Sequence, residues 1–279
     1  MSEADAAEGG ARVRRAYCDT AAGQVHYRAC GAGDVLVLLH WVPASGRMYE
    51  HLMPQFAACG HRVLAIDVYG YGRSDKRDAG WSIADYASNL GEALRALDAW
   101  PAAVVGGHLS AAIATELAIT EPEGLTRLVL DGSPAWTAEQ RAQAFAPFAG
   151  LSPAITAHGS HKTYAWDMIE RSLRLWDDRF EVTEATLPTL HAYLCDYLET
   201  GLVPKRALGS YDMIARLPRL ALPVLALTAE TEPLRPTHAT VLAQVRGVRE
   251  HVFPGAHPLL DPARAQEYVG VIDAFLRGR

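Results

Sequence analysis

Residues 103–118 read Ala-Val-Val-Gly-Gly-His-Leu-Ser-Ala-Ala-Ile-Ala-Thr-Glu-Leu-Ala, which predicts a strand, a tight turn and a helix. A sharp strand-to-helix turn of this kind can hold a catalytic nucleophile at its apex, with small residues two positions to either side. The frame from Gly107 to Ala111 meets that spacing and puts Leu109 at the apex. Leucine carries no nucleophilic atom, so the segment is typical of nucleophilic catalysis but is expected to lack the reacting group.

Ser110 is an alternative nucleophile in a frame shifted by one residue. That frame puts His108 and Ala112 at the two crowded positions, and a histidine there would strain a turn that favours glycine. A serine at a helix start also commonly satisfies a free backbone group of the first turn. We therefore favour Leu109 at the apex, and the Ser110 frame stays open.

Composition limits the classes of protein to consider. The 279 residues are 49% apolar, enough for a large core, and 26 basic against 32 acidic residues give a net charge of -6. No basic run suits nucleic acid or an anionic membrane, and four scattered cysteines suit neither a zinc site nor a disulfide framework. The first fifteen residues lack a secretory apolar core, and no stretch approaches the roughly 20 apolar residues of a membrane span. We expect a soluble, cytoplasmic protein.

Short apolar runs alternate with longer amphipathic segments, which is typical of a parallel sheet covered by helices on both faces. The pattern predicts strands at residues 24–28, 35–40, 62–67, 103–106, 125–131, 224–228 and 249–253, and helices at 48–59, 82–100, from 110, 238–245 and 262–277. Residues 134–219 interrupt the alternation without a convincing strand and are rich in aromatic and histidine side chains. We interpret them as a helical lid over the carboxyl ends of the strands, and residues 1–133 and 220–279 as the core.

Five segments together resemble the α/β-hydrolase superfamily in order and spacing. They are residues 38–43 (Leu-Leu-His-Trp-Val-Pro), 67–75 (Asp-Val-Tyr-Gly-Tyr-Gly-Arg-Ser-Asp), the turn around Leu109, 227–233 (Leu-Thr-Ala-Glu-Thr-Glu-Pro) and 254–257 (Pro-Gly-Ala-His). The resemblance spans nearly the whole chain outside residues 134–219. It implies an α/β-hydrolase fold, with a mostly parallel central sheet flanked by helices and a helical cap insertion.

The resemblance also implies roles for residues at the strand ends. His257 falls where the family has its catalytic base, and Glu232 falls where the family has the acid that orients it. Glu230 and Asp131 are substitute acids at neighbouring strand ends. The oxyanion hole would use backbone N–H groups, which correspond to those of Val42 and Ser110.

Two departures from the family point in the same direction. Trp41 replaces the family's glycine after the strand-end histidine, and Leu109 stands at the position of the nucleophile. Both changes make the expected pocket more apolar, and an indole at position 41 is expected to fill or reshape the oxyanion region. The residues expected around this pocket are His40, Trp41, Val42, His108, Leu109, Ser110 and Trp136.

These observations predict an enzyme that uses a His257/Glu232 acid-base dyad without a covalent intermediate, acting on a small hydrophobic or aromatic molecule such as a secondary metabolite. Direct hydrolysis, ring opening, elimination and cyclisation all fit such a dyad. A leucine apex excludes the aspartate attack of epoxide hydrolases and haloalkane dehalogenases of this fold. We expect no cofactor, no metal, no nucleic acid and no membrane partner, and leave a homo-oligomer open. A serine esterase using Ser110 and a non-catalytic ligand-binding protein remain alternatives.

Overall fold

The computed structural model describes residues 12–76, 80–146, 155–184, 186–200 and 204–278. The strands are β1 Arg14–Thr20, β2 Gly23–Cys30, β3 Asp34–Leu39, β4 His61–Ile66, β5 Ala102–Gly107, β6 Leu125–Asp131, β7 Val224–Ala229 and β8 Arg249–Phe253. They form one sheet in the order β1-β2-β4-β3-β5-β6-β7-β8. β2 pairs antiparallel with β1 and with β4, and the other neighbours pair in parallel. The predicted mostly parallel sheet is confirmed.

Helices cover both faces of this sheet. They are α1 Met53–Ala58, α2 Ile83–Ala96, α3 Leu109–Thr120, α4 Ala138–Phe145, α5 Ser160–Trp176, α6 Leu187–Thr200, α7 Met213–Arg216, α8 Arg235–Gln244 and α9 Ala265–Leu276. Alternate side chains of β3 enter different cores: Val37 belongs to the core with α2 and α3, whereas Leu36 and Leu38 belong to the core with α1 and α9. This two-sided burial explains the nearly continuous apolar sequence of the central strands.

Two predictions about the first third of the chain are corrected. Residues 14–20 (Arg-Arg-Ala-Tyr-Cys-Asp-Thr), which are absent from the predicted strands, form β1 at the sheet edge. An edge strand has water on one side and needs no apolar run. The single helix predicted at residues 48–59 is a 3-10 turn at Gly46–Tyr49 followed by the short helix α1.

The described part of residues 134–219 contains helices and 3-10 turns but no strand, as the sequence predicted. α5 and α6 pack against each other through Ile169, Leu173 and Leu190. Ala44, in the loop after β3, belongs to the same hydrophobic cluster. α6 is also tied to the core by a 2.9 Å hydrogen bond from Ser45 Oγ to an Asp196 carboxylate oxygen. α7 contacts α3 of the core. That residues 134–219 act as a separate lid stays a prediction.

No helix in the described part of the chain combines the length and the apolarity that a membrane span requires.

Candidate functional site

His108 stands at the apex of the turn between β5 and α3. Its φ and ψ are 55° and -116°, and among the described non-glycine residues only Asp98 shares a positive φ. A non-glycine residue in this region is strained and persists only where its surroundings hold it there. The prediction that Leu109 occupies the apex is therefore wrong by one residue, and Leu109 is the first residue of α3.

The crowded positions of the turn are Gly106 and Ser110. A Cβ on Gly106 would lie 2.4 Å from the carbonyl oxygen of Ser110 and 3.0 Å from the Cβ of Ala114, so only glycine fits. The sequence does allow this frame, since small residues stand on both sides of His108. The residue after the apex is Leu109, so the oxyanion N–H that the resemblance assigned to Ser110 corresponds to that of Leu109.

Glu232, in the loop after β7, reaches the apex histidine. Its Oε1 lies 3.2 Å from His108 Nε2, and the two side chains are 1% and 15% exposed. This approach is not a well-aligned hydrogen bond, because Nε2 has no hydrogen-bond partner of good geometry. Gly132 makes room for the pair: its φ is +68°, and a Cβ there would come within 3.0–3.2 Å of the His108 ring and Glu232 Oε2.

The carboxylate of Glu232 is held in its charged form. Burial raises the pKa of Glu232, but the neighbouring His108, the more distant His257 and the N–H of Leu234 outweigh burial, so this pKa is lowered. The Leu234 N–H donates to Oε1 over 3.1 Å. A carboxylate beside Nε2 favours the His108 tautomer with its proton on Nε2, which leaves Nδ1 as an acceptor. We assign this tautomer from the surrounding groups.

His257 takes a different partner from the one expected. Its Nε2 lies 2.8 Å from Asp131 Oδ1, and its Nδ1 accepts the N–H of Leu259 over 3.2 Å. The expected His257–Glu232 pair is not formed, and Asp131, a substitute acid in the sequence, is the partner. Because both ring nitrogens are occupied and the residue is 2% exposed, His257 is bound within the core in this structure.

A buried tyrosine completes this second network. Tyr268 donates its hydroxyl to Asp131 Oδ2 over 2.8 Å. Burial raises the pKa of Tyr268 well above its ordinary range, and the charge of Asp131 raises it further, so the hydroxyl stays protonated and can donate. Tyr268 could not be identified from the sequence, because it lies on α9 among ordinary core residues.

We expect Tyr268→Phe to lower the free energy of unfolding by about 1–2 kcal/mol, because Asp131 loses a hydrogen bond in a place that water does not reach. Urea unfolding followed by circular dichroism measures this change. Tyr17→Phe is the matched control, since Tyr17 is half exposed, and it should change stability by less than about 0.5 kcal/mol. Equal stabilities for the two variants would contradict the network.

Trp41 contacts both imidazole rings. Its indole stacks on His108 with 4.6 Å between ring centroids and 10° between planes, and meets His257 edge to face at 4.9 Å. A Cβ on Gly107 would lie 1.9 Å from Trp41 Nε1, so the indole takes the space that a side chain at position 107 would need. Trp41 thus occupies the region across which a base on His257 would reach the apex.

His40 and Ser110 are both fully buried, and both make hydrogen bonds to backbone groups. Ser110 Oγ donates to the carbonyl oxygen of His40 over 2.7 Å, and Ser110 is fully buried. His40 contacts the Trp41 carbonyl through Nδ1, and its Nε2 accepts the N–H of Val68. Burial lowers the pKa of His40, so its neutral form is favoured. Both residues connect the strand ends.

A cavity of about 380 Å³ lies beside the apex. Its walls come from the loop after β3, the apex turn, residues 134–136, helices α4 and α5, and the segments around residues 208 and 233. They are Val42, Pro43, His108, Leu109, Pro134, Trp136, Ala144, Met168, Ile169, Ser172, Leu175, Trp176, Leu208, Pro233 and Leu234. Among these described lining residues, His108 is the one titratable side chain. Val42, His108, Leu109 and Trp136 were expected at this pocket, whereas the α5 residues were not identified individually.

The sheet order and the strand-turn-helix apex agree with a comparison of sequences. A model of the α/β-hydrolase fold matches residues 34–155. The chain adopts the α/β-hydrolase fold. Among solved α/β-hydrolase structures, an epoxide hydrolase from an endophytic Streptomyces superimposes with a TM-score of 0.70 at 25% identity, covering 97% of this chain and 96% of that one.

Curated relatives match the chain over shorter or weaker alignments. An uncharacterized protein of Mycobacterium tuberculosis is 30% identical over 104 residues, which are 37% of this chain and 30% of that protein. The chain thus spans about a third of the length of the first relatives it matches. The magnesium-chelatase 30 kDa subunit of Rhodobacter capsulatus is 26% identical over 224 residues, 75% of this chain and 74% of that protein.

Proposed function

We propose that this α/β-hydrolase is a hydrolytic enzyme for a small, uncharged, apolar ester, with His108 as a general base and without a covalent acyl-enzyme. The observation that carries the proposal is the imidazole of His108 at the apex, beside the carboxylate of Glu232 and open to the cavity. The proposal retains Glu232 as the acid of the expected dyad, and His108 takes the place of His257 as the base.

The chemistry follows from the assigned tautomer. Nδ1 of His108 takes a proton from a water molecule as the water oxygen attacks the ester carbonyl, and the carboxylate of Glu232 stabilises the imidazolium that forms. The backbone N–H groups of Val42 and of Leu109 stabilise the charge that develops on the carbonyl oxygen. Leu109 lies at the amino end of α3, where the helix dipole adds to this effect. The imidazolium then returns the proton to the departing alkoxide, so ester and water give acid and alcohol.

The walls of the cavity support the choice of substrate. No Asp, Glu, Lys or Arg is among the described residues that line it, so a charged substrate would lose its hydration without a partner. The volume of about 380 Å³ lies near the lower end of ordinary ligand cavities. One similar solved structure is that of an epoxide hydrolase. In this chain the histidine at the apex offers no aspartate for a covalent attack.

Hydrolysis of p-nitrophenyl butyrate, with a fluorophosphonate probe in parallel, tests the proposal. We expect release of nitrophenol above the buffer rate and no covalent labelling by the probe, since no activated serine takes part. Labelling of Ser110 would overturn the proposal in favour of the serine esterase. Absence of turnover on p-nitrophenyl esters from acetate to octanoate would also overturn it, and would favour the ligand-binding alternative.

A further inference from the structure

The imidazole of His108 is enclosed by two tryptophans. Trp41 lies parallel to it at 4.6 Å, and Trp176 meets it edge to face at 5.3 Å and 82°. The two indoles also touch each other at 4.7 Å. We infer that Trp41 is a positioning residue for His108, which holds the ring against Glu232 and stabilises its protonated form. This inference rests on the proposed function of the same site.

The orientation of the ring depends on contacts from several sides. The apex backbone fixes where the side chain starts, and Glu232 marks where Nε2 must point. Gly132 lies close to the Cδ2–Nε2 edge of the ring, and Trp41 covers one face. Without the indole the ring can rotate about its terminal torsion, a broad and soft one, and Nε2 can leave the carboxylate.

The stacked indole also affects the charge of the ring. The face of an indole is electron-rich and attracts a cation placed over it, with tryptophan the strongest of the aromatic side chains. When Nδ1 accepts a proton, the imidazolium lies over this face and beside the Glu232 carboxylate. Both contacts favour the charged form, which is the state that a general base must pass through.

Trp41 buries a polar group at a cost in stability, which indicates that its indole does more than fill volume. Its Nε1 is buried and has no hydrogen-bond partner among the described residues. Burying an unpaired N–H is unfavourable, and phenylalanine or leucine would fill this core position without that cost. The glycine at position 107 is a second requirement, since any side chain there would collide with the indole. An unpaired polar group in a native core calls for such an explanation.

The experiment measures the His108 imidazole directly by NMR titration of histidine-labelled protein, with the signal assigned by its loss in His108→Gln. In Trp41→Leu we expect the titration midpoint of His108 to fall by about half to one pH unit. We also expect kcat for p-nitrophenyl butyrate to fall about tenfold with a smaller change in KM. Trp41→Phe, which keeps an aromatic face, should recover most of both effects.

Trp81→Leu is the matched control, because Trp81 also stacks on a ring, Tyr69 at 4.5 Å, but lies outside the site. It should leave the midpoint and kcat unchanged. An unchanged midpoint in folded Trp41→Leu would overturn the inference. If that variant does not fold, Trp41→Phe must show a smaller shift in the same direction, and an unshifted midpoint there would overturn it. If the His108 midpoint shifts in Trp41→Leu but His108→Gln keeps full activity, the proposed function is refuted and the positioning role of Trp41 stands.

Discussion

Replacing His108 by glutamine is expected to lower kcat/KM for p-nitrophenyl butyrate by about 100-fold or more, which is the usual range for loss of a general base. Glutamine keeps a polar side chain beside Glu232 but cannot take up a proton at the position of Nδ1. Glu232→Gln should have a smaller effect in the same direction, because the base remains while the imidazolium loses its carboxylate. Initial rates at saturating and low substrate separate kcat from KM.

Folding must be compared before these rates are interpreted. Circular dichroism and thermal unfolding of His108→Gln should resemble those of the parent protein, since the apex histidine is partly exposed and contributes no well-aligned hydrogen bond. A folded His108→Gln with parental kcat/KM would refute the role of His108 as the base.

The second large effect is on stability, at Asp67 beyond the end of β4. This fully buried carboxylate contacts His26 Nδ1 at 2.9 Å and Arg28 Nη1 at 2.8 Å, and accepts the N–H groups of Gly46 and Arg73. We expect Asp67→Asn to lower the free energy of unfolding by about 3–5 kcal/mol, because it leaves the buried guanidinium of Arg28 without one of its two carboxylates. Asp19→Asn, at an exposed site, is the control.

The same carboxylate makes stability depend on pH. Burial raises the pKa of Asp67, but the His26 hydrogen bond, the charge of Arg28 and the Arg73 N–H lower it more, to about 2. In the unfolded chain an aspartate titrates near about 3.9. The stabilisation is therefore complete above about pH 4, and about 2 kcal/mol of it is lost as the pH falls to 2.

Urea unfolding at pH 5 and at pH 2.5 measures this dependence. The parent protein should lose more stability between the two values than Asp67→Asn does, since the variant no longer has the group that titrates. Identical losses for the two proteins would show that other carboxylates produce the acid sensitivity.

The sequence predicted most of the sheet because strands buried on both faces are continuous apolar runs. β1 was not predicted, because an edge strand can be polar. The segment of the apex was also predicted, but not its frame. Small residues stand two positions before and two positions after both His108 and Leu109. Spacing alone therefore allows either frame, and only the backbone angles distinguish them.

The pairing of histidines with acids could not be read from the sequence for a related reason. Asp131 is the last residue of β6 and Glu232 follows the neighbouring strand β7, so either could reach His257. The choice depends on where the indole of Trp41 lies, since it stacks on His108 and borders His257. Spacing along a chain does not record the direction of a side chain.

The most direct test of the central claim compares His108→Gln with Ser110→Ala in the hydrolysis of p-nitrophenyl butyrate. Ser110 lies two residues from the apex and donates its hydroxyl to a backbone carbonyl, so its loss should leave kcat/KM within about threefold of the parent value, a change of less than 1 kcal/mol in activation free energy. The His108 variant should lose about 100-fold or more. The reverse order, an inactive Ser110→Ala beside an active His108→Gln, would contradict a site that works through the apex histidine.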